Sequence, residues 1–141
     1  MRRLGDRVTR MDRTEPALNA HESLEDVRDT STPLAFVCSL RRVLFGAVLE
    51  PRYARLMTDL LRETHTGDAR IRAGVPTSWD IGDKTGTSAD SVGATNDVAV
   101  FKVPGRGVQV LAVFLDAPKA SGAEREAVIA EVARQVVYAV R

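Results

Sequence analysis

The pattern of apolar and polar positions divides the chain into a polar first segment and a regular remainder. Residues 1–32 are polar and irregular, with five arginines up to Arg13. So long a segment with little apolar periodicity is typical of a loop or a functional excursion. We predict at most a short helix in it, around Ala17 to Leu24. From Thr32 onward the spacing becomes regular, and it predicts helices over 33–66, three strands within 78–116 and a last helix over 121–141.

The first predicted helix begins at Thr32 and Pro33, since threonine is a good N-cap and proline suits the first helical position. Apolar residues follow at helical spacing around most of its circumference, so we expect it to be buried on most sides. Cys38, within it, is then a buried small apolar residue.

A second helix is predicted from Pro51 to about Glu63, with Gly67 closing it. Three leucines at helical spacing are expected to face inward: Leu56, Leu60 and Leu61.

Three segments are predicted to be strands. TSWDIGDK contains a short one over residues 78–84, with Trp79 as a core residue, and NDVAVFKV and GVQVLAVFLD give two longer ones. The turn signal PGRG joins the longer strands, which favours an antiparallel hairpin. Both are almost continuously apolar, so both of their faces should be covered. A three-stranded sheet still has two edges, so the chain is expected to be part of a larger domain.

The last segment is predicted to be a long amphipathic helix packed across the sheet. Ser121 and Glu124 have the spacing of a capping box. Valines then recur every four residues, at Val128, Val132, Val136 and Val140, with Ile129 and Val137 beside them, and this apolar face is expected to pack on the sheet. The complete pattern predicts an α+β fold.

Composition excludes several classes of function. With 44% apolar and 28% charged residues, the chain resembles an ordinary globular domain, and its formal net charge of +1 argues against nucleic-acid binding. No run approaches the roughly 18 apolar residues of a membrane span, and the first residues do not resemble a signal peptide. Cys38 is the sole cysteine, so no intrachain disulfide can form. His21 and His65 are expected to face solvent without metal-binding partners, so we predict neither a metal site nor a cofactor.

The sequence Lys84-Thr85-Gly86 offers a candidate for chemistry. A lysine, a hydroxyl and a glycine at the end of a strand can form a compact anion-binding site, although three such residues by themselves more often belong to a plain surface turn. Three longer stretches give it context and occur in this order: RLGDRVTRMDRTEPALN (3–19), DTSTP (29–33) and GDARIRAGVPTSWDIGDKTGT (67–87).

Together these stretches resemble the class A serine β-lactamases, for which K-T-G is a signature. The resemblance covers essentially the whole chain and corresponds to the C-terminal half of that family's domain. It implies one partial domain over 1–141, the C-terminal part of the β-lactamase/transpeptidase-like fold. Residues 1–32 would then form the family's Ω loop, and the chain begins where that loop is about to start.

The resemblance implies roles for residues of the loop. Glu15 corresponds to the family's water-activating glutamate, and Asn19 to the amide that orients the water. Arg13 and Asp29 correspond to an ion pair that closes the loop. Such a clasp would also restrain a long loop on physical grounds, because closing it costs entropy.

The K-T-G segment is implied to bind the substrate. Lys84 would attract the carboxylate of a penicillin or cephalosporin, with the Thr85 hydroxyl as a second donor and Gly86 beside it. The backbone N–H of Thr87 would form half of an oxyanion hole. Arg70 aligns with an arginine that assists carboxylate binding in some members, although Arg72 lies near.

Two of the family's motifs are absent from these 141 residues. The lysines are preceded three positions earlier by Ile81, Ala99 and Asp116, so no Ser-x-x-Lys is present, and no Ser-Asp-Asn occurs. We therefore expect β-lactam hydrolysis by the family to which this fragment belongs, with the chain alone inactive and prone to associate through exposed apolar surfaces.

Two alternatives stay open: a non-catalytic remnant, or a relative of the penicillin-binding transpeptidases. Glu15 with Asn19 argues against the transpeptidases, which lack that glutamate. The resemblance implies secreted or periplasmic location, the missing N-terminal half as a possible partner, and neither nucleic acid nor membrane as a partner.

Overall fold

The computed structural model describes residues 1–20, 23, 25–88 and 93–141. Within these residues the chain forms an α+β fold, as predicted. The helices are α1 (Pro33–Phe45), α2 (Pro51–Arg62), α3 (Ile71–Gly74) and α4 (Gly122–Val140), the strands are β1 (Ile81–Thr87), β2 (Ala94–Val103) and β3 (Gly107–Asp116), and short 3-10 turns span Arg2–Leu4 and Ala17–Asn19. No helix among the described residues is long and apolar enough to cross a membrane.

The three strands form one antiparallel sheet in the order β1-β2-β3. The predicted hairpin is confirmed, and its turn uses Gly105 and Gly107 at φ of 76° and 78°, where a side chain would be strained. The central strand β2 is buried along nearly its whole length, whereas β3 is half-buried with exposed ends. The prediction that both long strands are covered on both faces is therefore right for β2 and wrong for β3, which lies at an edge.

One face of the sheet carries the main core. Phe101 of β2 packs with Ile71 of α3 and Ile129 of α4, and all three are almost completely buried. Trp79 stacks on Phe101 with a centroid distance of 5.9 Å, which confirms its predicted place in the core. Burial of these large apolar side chains stabilises the sheet on α3 and α4.

The helix α4 has the predicted capping box, and its buried face agrees with the predicted one only in part. The Ser121 hydroxyl accepts from the Glu124 N–H at 3.3 Å, and the Glu124 carboxylate accepts from the Ser121 N–H at 2.7 Å. The prediction is wrong for Val128 and Val132, which are 48% and 38% exposed, whereas Val136 is half-buried and Val140 packs against the core. The fully buried residues of α4 are the predicted Ile129 and Val137 together with Ala130 and Ala133.

Close packing of small residues explains the difference. A Cβ on Gly74 of α3 would lie 2.3 Å from the carbonyl oxygen of Ala130 and 2.6 Å from Cβ of Ala133. The two helices can approach so closely only where both present little or no side chain. The alanines therefore face inward, and Val128 and Val132 are displaced toward solvent.

The helix α1 begins as predicted but is far less buried than expected. The Thr32 hydroxyl accepts from the Ala35 N–H at 3.3 Å, which confirms the N-cap. Only Ser39 and Leu44 are buried within α1, and Cys38 is exposed, so both burial predictions are wrong. In the described part of the chain no element covers the outer face of α1, and its contacts are made mainly with β3 and α2.

The helix α2 ends one residue earlier than predicted. Its C-cap is Glu63, whereas Gly67 lies beyond it against the sheet, so the role predicted for Gly67 is wrong. Leu56 and Leu60 are exposed and only Leu61 is half-buried, again because no described element packs on that side.

The strand β1 runs from residue 81 to 87 rather than from 78 to 84. Trp79 closes a turn in which its N–H donates to the Pro76 carbonyl at 2.9 Å, so pairing with β2 starts only at Ile81. The Lys84-Thr85-Gly86 segment therefore lies within a strand and not in the turn after it. Of the short helix predicted around 17–24, a 3-10 turn is observed at Ala17–Asn19, while His21 and Leu24 lie outside the described residues.

Candidate functional site

The described residues among the first 32 form a loop whose two ends are joined by successive hydrogen bonds. The Thr9 and Ser31 hydroxyls lie 2.7 Å apart, and the Arg10 N–H donates to the Thr30 carbonyl at 2.9 Å. The next connection is made by Asp29. These contacts bring the start and the end of the loop together below the turn that carries Glu15.

Asp29 accepts three hydrogen bonds from the opposite side of the loop. The Asp12 N–H donates at 2.6 Å, the Arg13 N–H at 3.0 Å and Nε of Arg13 at 2.6 Å. The Arg13 side chain is the main cause that holds the pKa of the Asp29 carboxyl below its ordinary value. The structure thus contains the Arg13–Asp29 ion pair, in which both side chains are largely shielded from solvent.

Glu15 and Asn19 are brought together at the far end of the loop. The 3-10 turn folds the chain back, with the Leu18 N–H on the Thr14 carbonyl at 3.2 Å, so that residue 19 faces residue 15. The Asn19 amide nitrogen donates to Oε2 of Glu15. The Glu15 side chain is exposed, so one carboxylate oxygen is fixed by the amide while the group stays accessible to water.

The loop and the edge strand β1 line a common cavity of about 570 Å³. Lys84, Thr85 and Gly86 form one wall, and the loop contributes residues including Asp29 and Ser31. Apolar side chains from α1, α2 and the sheet complete the lining: Phe36, Leu40, Met57, Leu61, Val98 and Phe114. The cavity lies on the face of the sheet opposite α4 and combines a largely apolar floor with Lys84 and three aspartates, Asp26, Asp29 and Asp116.

Lys84 and Thr85 make different polar contacts on this strand. Nζ of Lys84 donates to the Thr85 carbonyl at 2.8 Å, and the side chain is exposed. The Thr85 hydroxyl lies 2.8 Å from the hydroxyl of Thr66. Because a hydroxyl has one proton and two lone pairs, either threonine has capacity for a further partner.

Arg70 lies beneath β1 rather than in the cavity. Its side chain is buried and donates to the Thr87 hydroxyl at 2.7 Å and to the Asn96 carbonyl at 2.8 Å, and it pairs with Glu126 at 3.3 Å. The guanidinium therefore fixes the Thr87 side chain from behind. Arg70, Thr87, Glu15 and Asn19 are not among the described residues that line the cavity.

The second nearby arginine has a different partner. Nε of Arg72 donates to Oδ1 of Asp83 at 2.9 Å, and the same guanidinium lies 3.5 Å from Asp68. The sequence comparison singled out Arg70, with Arg72 nearby, and the structure gives the two arginines different partners. Only Arg70 contacts the K-T-G strand at Gly86 and Thr87.

Two buried carboxyls beneath the K-T-G strand were missed in the sequence. Asp83 on β1 and Asp97 on β2 are both 0% exposed and lie diagonally across the strand pair. Burial raises the pKa of Asp83, and it raises the pKa of Asp97 to about 6, helped by the charge of Asp83. The sequence did contain a sign of these buried carboxyls, since each aspartate stands inside a segment that otherwise resembles a strand.

These carboxyls are incompletely paired. Oδ2 of Asp97 accepts from the Ile71 N–H at 3.0 Å, whereas Oδ1 of Asp97 and Oδ2 of Asp83 have no hydrogen-bond partner among the described residues. Gly67 packs directly on Oδ2 of Asp83, because a Cβ added at Gly67 would lie 1.8 Å from that oxygen.

No group of three or more histidine, cysteine, aspartate or glutamate side chains in the described ranges is arranged to hold a metal ion. His65 is 85% exposed, as expected, and approaches only Asp68, at 3.6 Å. His21 lies outside the described residues.

Comparison with known proteins identifies the family. A model described as the beta-lactamase enzyme family matches residues 1–140. The chain belongs to the beta-lactamase enzyme family. Within this family it is 43% identical over 136 residues to beta-lactamase CTX-M-8 of Citrobacter amalonaticus, covering 96% of this chain and 45% of the relative. It is 44% identical over 135 residues to the beta-lactamase of Streptomyces albus G, covering 95% of this chain and 42% of the relative.

Solved structures give the same family and its class. The class A beta-lactamase described as the last common ancestor of Gram-negative bacteria superposes on this chain with a TM-score of 0.93 at 47% sequence identity. The match covers 99% of this chain and 52% of the ancestral enzyme. The class A β-lactamase fold predicted from the sequence is thereby confirmed. The chain spans about half the length of the β-lactamases it matches.

Proposed function

We propose that this chain provides the water-activating loop and the carboxylate-binding strand of an enzyme that hydrolyses β-lactam antibiotics. One observation carries the proposal: the loop clasped at Asp29 and the Lys84–Gly86 segment of β1 line the same cavity. The nucleophilic serine and its lysine would come from outside these 141 residues, since no Ser-x-x-Lys occurs within them.

The loop would supply the hydrolytic step. After a serine is acylated, a water must lose a proton as it attacks the ester, and an exposed carboxylate can accept that proton. Glu15 is such a carboxylate, and the Asn19 amide fixes one of its oxygens. The Arg13–Asp29 pair would hold the loop in place during this step, so that Glu15 acts from a preorganised position.

The strand would bind and polarise the substrate. The ammonium of Lys84 attracts the carboxylate that penicillins and cephalosporins carry, and the Thr85 hydroxyl has capacity for the same group. Gly86 has no side chain, so the strand backbone stays accessible to the ligand. The Thr87 N–H would stabilise the charge that develops on the lactam oxygen. Arg70 would hold Thr87 in position through its hydrogen bond to the Thr87 hydroxyl.

The 141-residue chain by itself is proposed not to turn over β-lactams, because losing the nucleophile typically lowers the rate by about a millionfold. Its natural partner would be the N-terminal half of the domain, in the same chain or as a complementing fragment. The complete enzyme would confer antibiotic resistance and act outside the cytoplasm, as a secreted or periplasmic protein.

The test compares nitrocefin hydrolysis by the 141-residue chain with that by the same chain joined to the N-terminal half of the ancestral class A enzyme. Multiple turnovers are expected only from the joined protein. Multiple turnovers by the short chain would show that a nucleophile lies within it. Inactivity of both proteins, with the joined one folded, would instead favour a non-catalytic remnant.

Variants of the joined protein test the individual roles. Glu15→Ala should release about one equivalent of product and then stall as an acyl-enzyme detectable by mass spectrometry, because deacylation needs the base. Glu25→Ala, which changes another exposed glutamate of the loop, is the matched control and should turn over normally. Equal turnover by both variants would contradict the role of Glu15.

Lys84→Ala should lower kcat/KM by roughly tenfold to a hundredfold, the usual range for losing a charge-assisted hydrogen bond to a carboxylate. Lys102→Ala removes an exposed lysine from the neighbouring strand and serves as the control. A similar loss in both variants would indicate a general charge effect rather than a binding role.

A further inference from the structure

Asp6 lies at the start of the loop and is saturated with hydrogen bonds. It is only 7% exposed. Its Oδ1 accepts from the Val8 and Thr9 N–H groups, both at 2.9 Å, and its Oδ2 accepts from the Thr9 hydroxyl at 2.5 Å and the Ser39 hydroxyl at 3.0 Å. A buried carboxylate with four donors is a strong local anchor, because removing it would leave those donors without a partner.

These contacts connect three separate parts of the chain. Thr9 belongs to the first side of the loop, Ser31 to its last side, and Ser39 to α1. The Thr9 hydroxyl touches both Asp6 and the Ser31 hydroxyl, the latter at 2.7 Å. Asp6 therefore fixes the base of the loop to α1, which itself packs on β3.

From this base, successive contacts join the two sides of the loop. Thr9 meets Ser31, residue 10 bonds to residue 30, and Arg13 pairs with Asp29. Glu15 lies two residues beyond Arg13, the last residue joined in this way. We propose that Asp6 is a positioning residue for Glu15, acting through this series of contacts; the inference rests on the proposed function of Glu15.

The negative charge of Asp6 sets the direction of the hydrogen bonds. The donors from Thr9 keep the pKa of the Asp6 carboxyl well below its ordinary value, so the group accepts hydrogen bonds and does not donate them. The Thr9 hydroxyl must then give its proton to Asp6 and can only accept from Ser31. The Thr9 hydroxyl is thereby fixed in one orientation, which favours a single position of this side of the loop, while the Ser31 hydroxyl also has the Thr32 carbonyl as an acceptor at 3.3 Å.

Hydrogen exchange of the complete 141-residue chain tests the positioning independently of any activity. Asp6→Ala should speed exchange of the loop amides at Arg10, Asp12 and Arg13 by about tenfold or more, and leave the Ile71 amide beneath the sheet unchanged. Asp6→Asn should restore much of the protection, since the amide keeps one acceptor for the two backbone donors and its NH2 group can donate to the hydroxyls of Thr9 and Ser39.

Two further variants keep the test decisive. Ser31→Ala removes the hydroxyl that contacts Thr9. It should speed hydrogen exchange of the Arg10 and Arg13 amides even if Asp6→Ala does not fold. Asp59→Ala removes an exposed aspartate of α2 and should change none of these amides. Unchanged loop exchange in both Asp6→Ala and Ser31→Ala, or an equal rise at Ile71, would overturn the proposal.

Kinetics of the joined protein separate positioning from plain stability. Asp6→Ala should slow deacylation about tenfold or more while leaving the acylation rate unchanged, and Asp6→Asn should recover much of it. Equal slowing of both steps would overturn the link to Glu15. Inactivity of the unmodified joined protein would refute the proposed function, while the exchange result would still decide whether Asp6 orders the loop.

Discussion

Replacing Asp97 by asparagine should make the protein less sensitive to pH. The carboxyl is 0% exposed and one of its oxygens has no partner among the described residues. Burial raises its pKa from the ordinary 3.8 to about 6. The folded protein therefore binds this proton more tightly than the unfolded chain does, and the resulting stabilisation is fully present below about pH 4 and is lost as the pH rises through 6.

The pKa difference sets the size of the effect. A change from 3.8 to about 6 corresponds to about 3 kcal/mol, as an upper value, in the free energy of unfolding at neutral pH. An asparagine cannot ionise, and its side-chain oxygen can still accept from the Ile71 N–H. Relative to the parent, Asp97→Asn should thus gain stability as the pH rises from 4 to 7, with most of the gain between 4 and 6.

Urea unfolding at pH 4, 5, 6 and 7 measures this gain. The single tryptophan, Trp79, stacks on Phe101 in the core, so its fluorescence reports loss of the sheet. Dilute protein and a midpoint independent of concentration exclude association. Asp116→Asn, at the exposed end of β3, measures the effect of losing one surface carboxylate. A difference between Asp97→Asn and the parent that stays constant with pH, or shrinks as the pH rises, would refute the reasoning.

Three further substitutions test the packing and the caps. Gly67→Ala should destabilise the fold by roughly 1–3 kcal/mol in urea unfolding because the added methyl overlaps Asp83, whereas Gly122→Ala, with nothing within 4 Å, should not. Ser121→Ala should cost about 1 kcal/mol through loss of the α4 cap, and an unchanged midpoint would contradict that role. Asp29→Ala removes the acceptor of three loop hydrogen bonds, so trypsin should cut the loop faster without changing the unfolding midpoint; equal cleavage rates would argue against the clasp.

Features that depend on neighbouring residues could be predicted from the sequence. The start of α1 at Pro33, the capping box of α4 and the β2–β3 hairpin are as predicted, since each rests on a side chain or a turn acting on nearby backbone. The spacing of the loop residues and K-T-G also sufficed to recognise the family. The roles of Glu15 and Lys84 stay predictions until the kinetics are measured.

Features that depend on distant neighbours could not be predicted. The buried face of α4 follows from its close approach to Gly74, and the exposure of Cys38 from the lack of a described covering element. The choice between Arg70 and Arg72 depends on which one reaches β1 at Thr87 and which one meets Asp83. No periodicity in the sequence contains these distances.

The sequence by itself determined the order of the long helices and the strands, without the short helix α3, as well as the family and the residue types available for chemistry, because these follow from local spacing. Only the tertiary structure placed the clasped loop and the edge of β1 around one cavity and put two poorly paired carboxyls beneath it. The physical reason is that burial sets the pKa of a carboxyl and the freedom of a loop, and burial is decided by segments that meet only after the chain has folded.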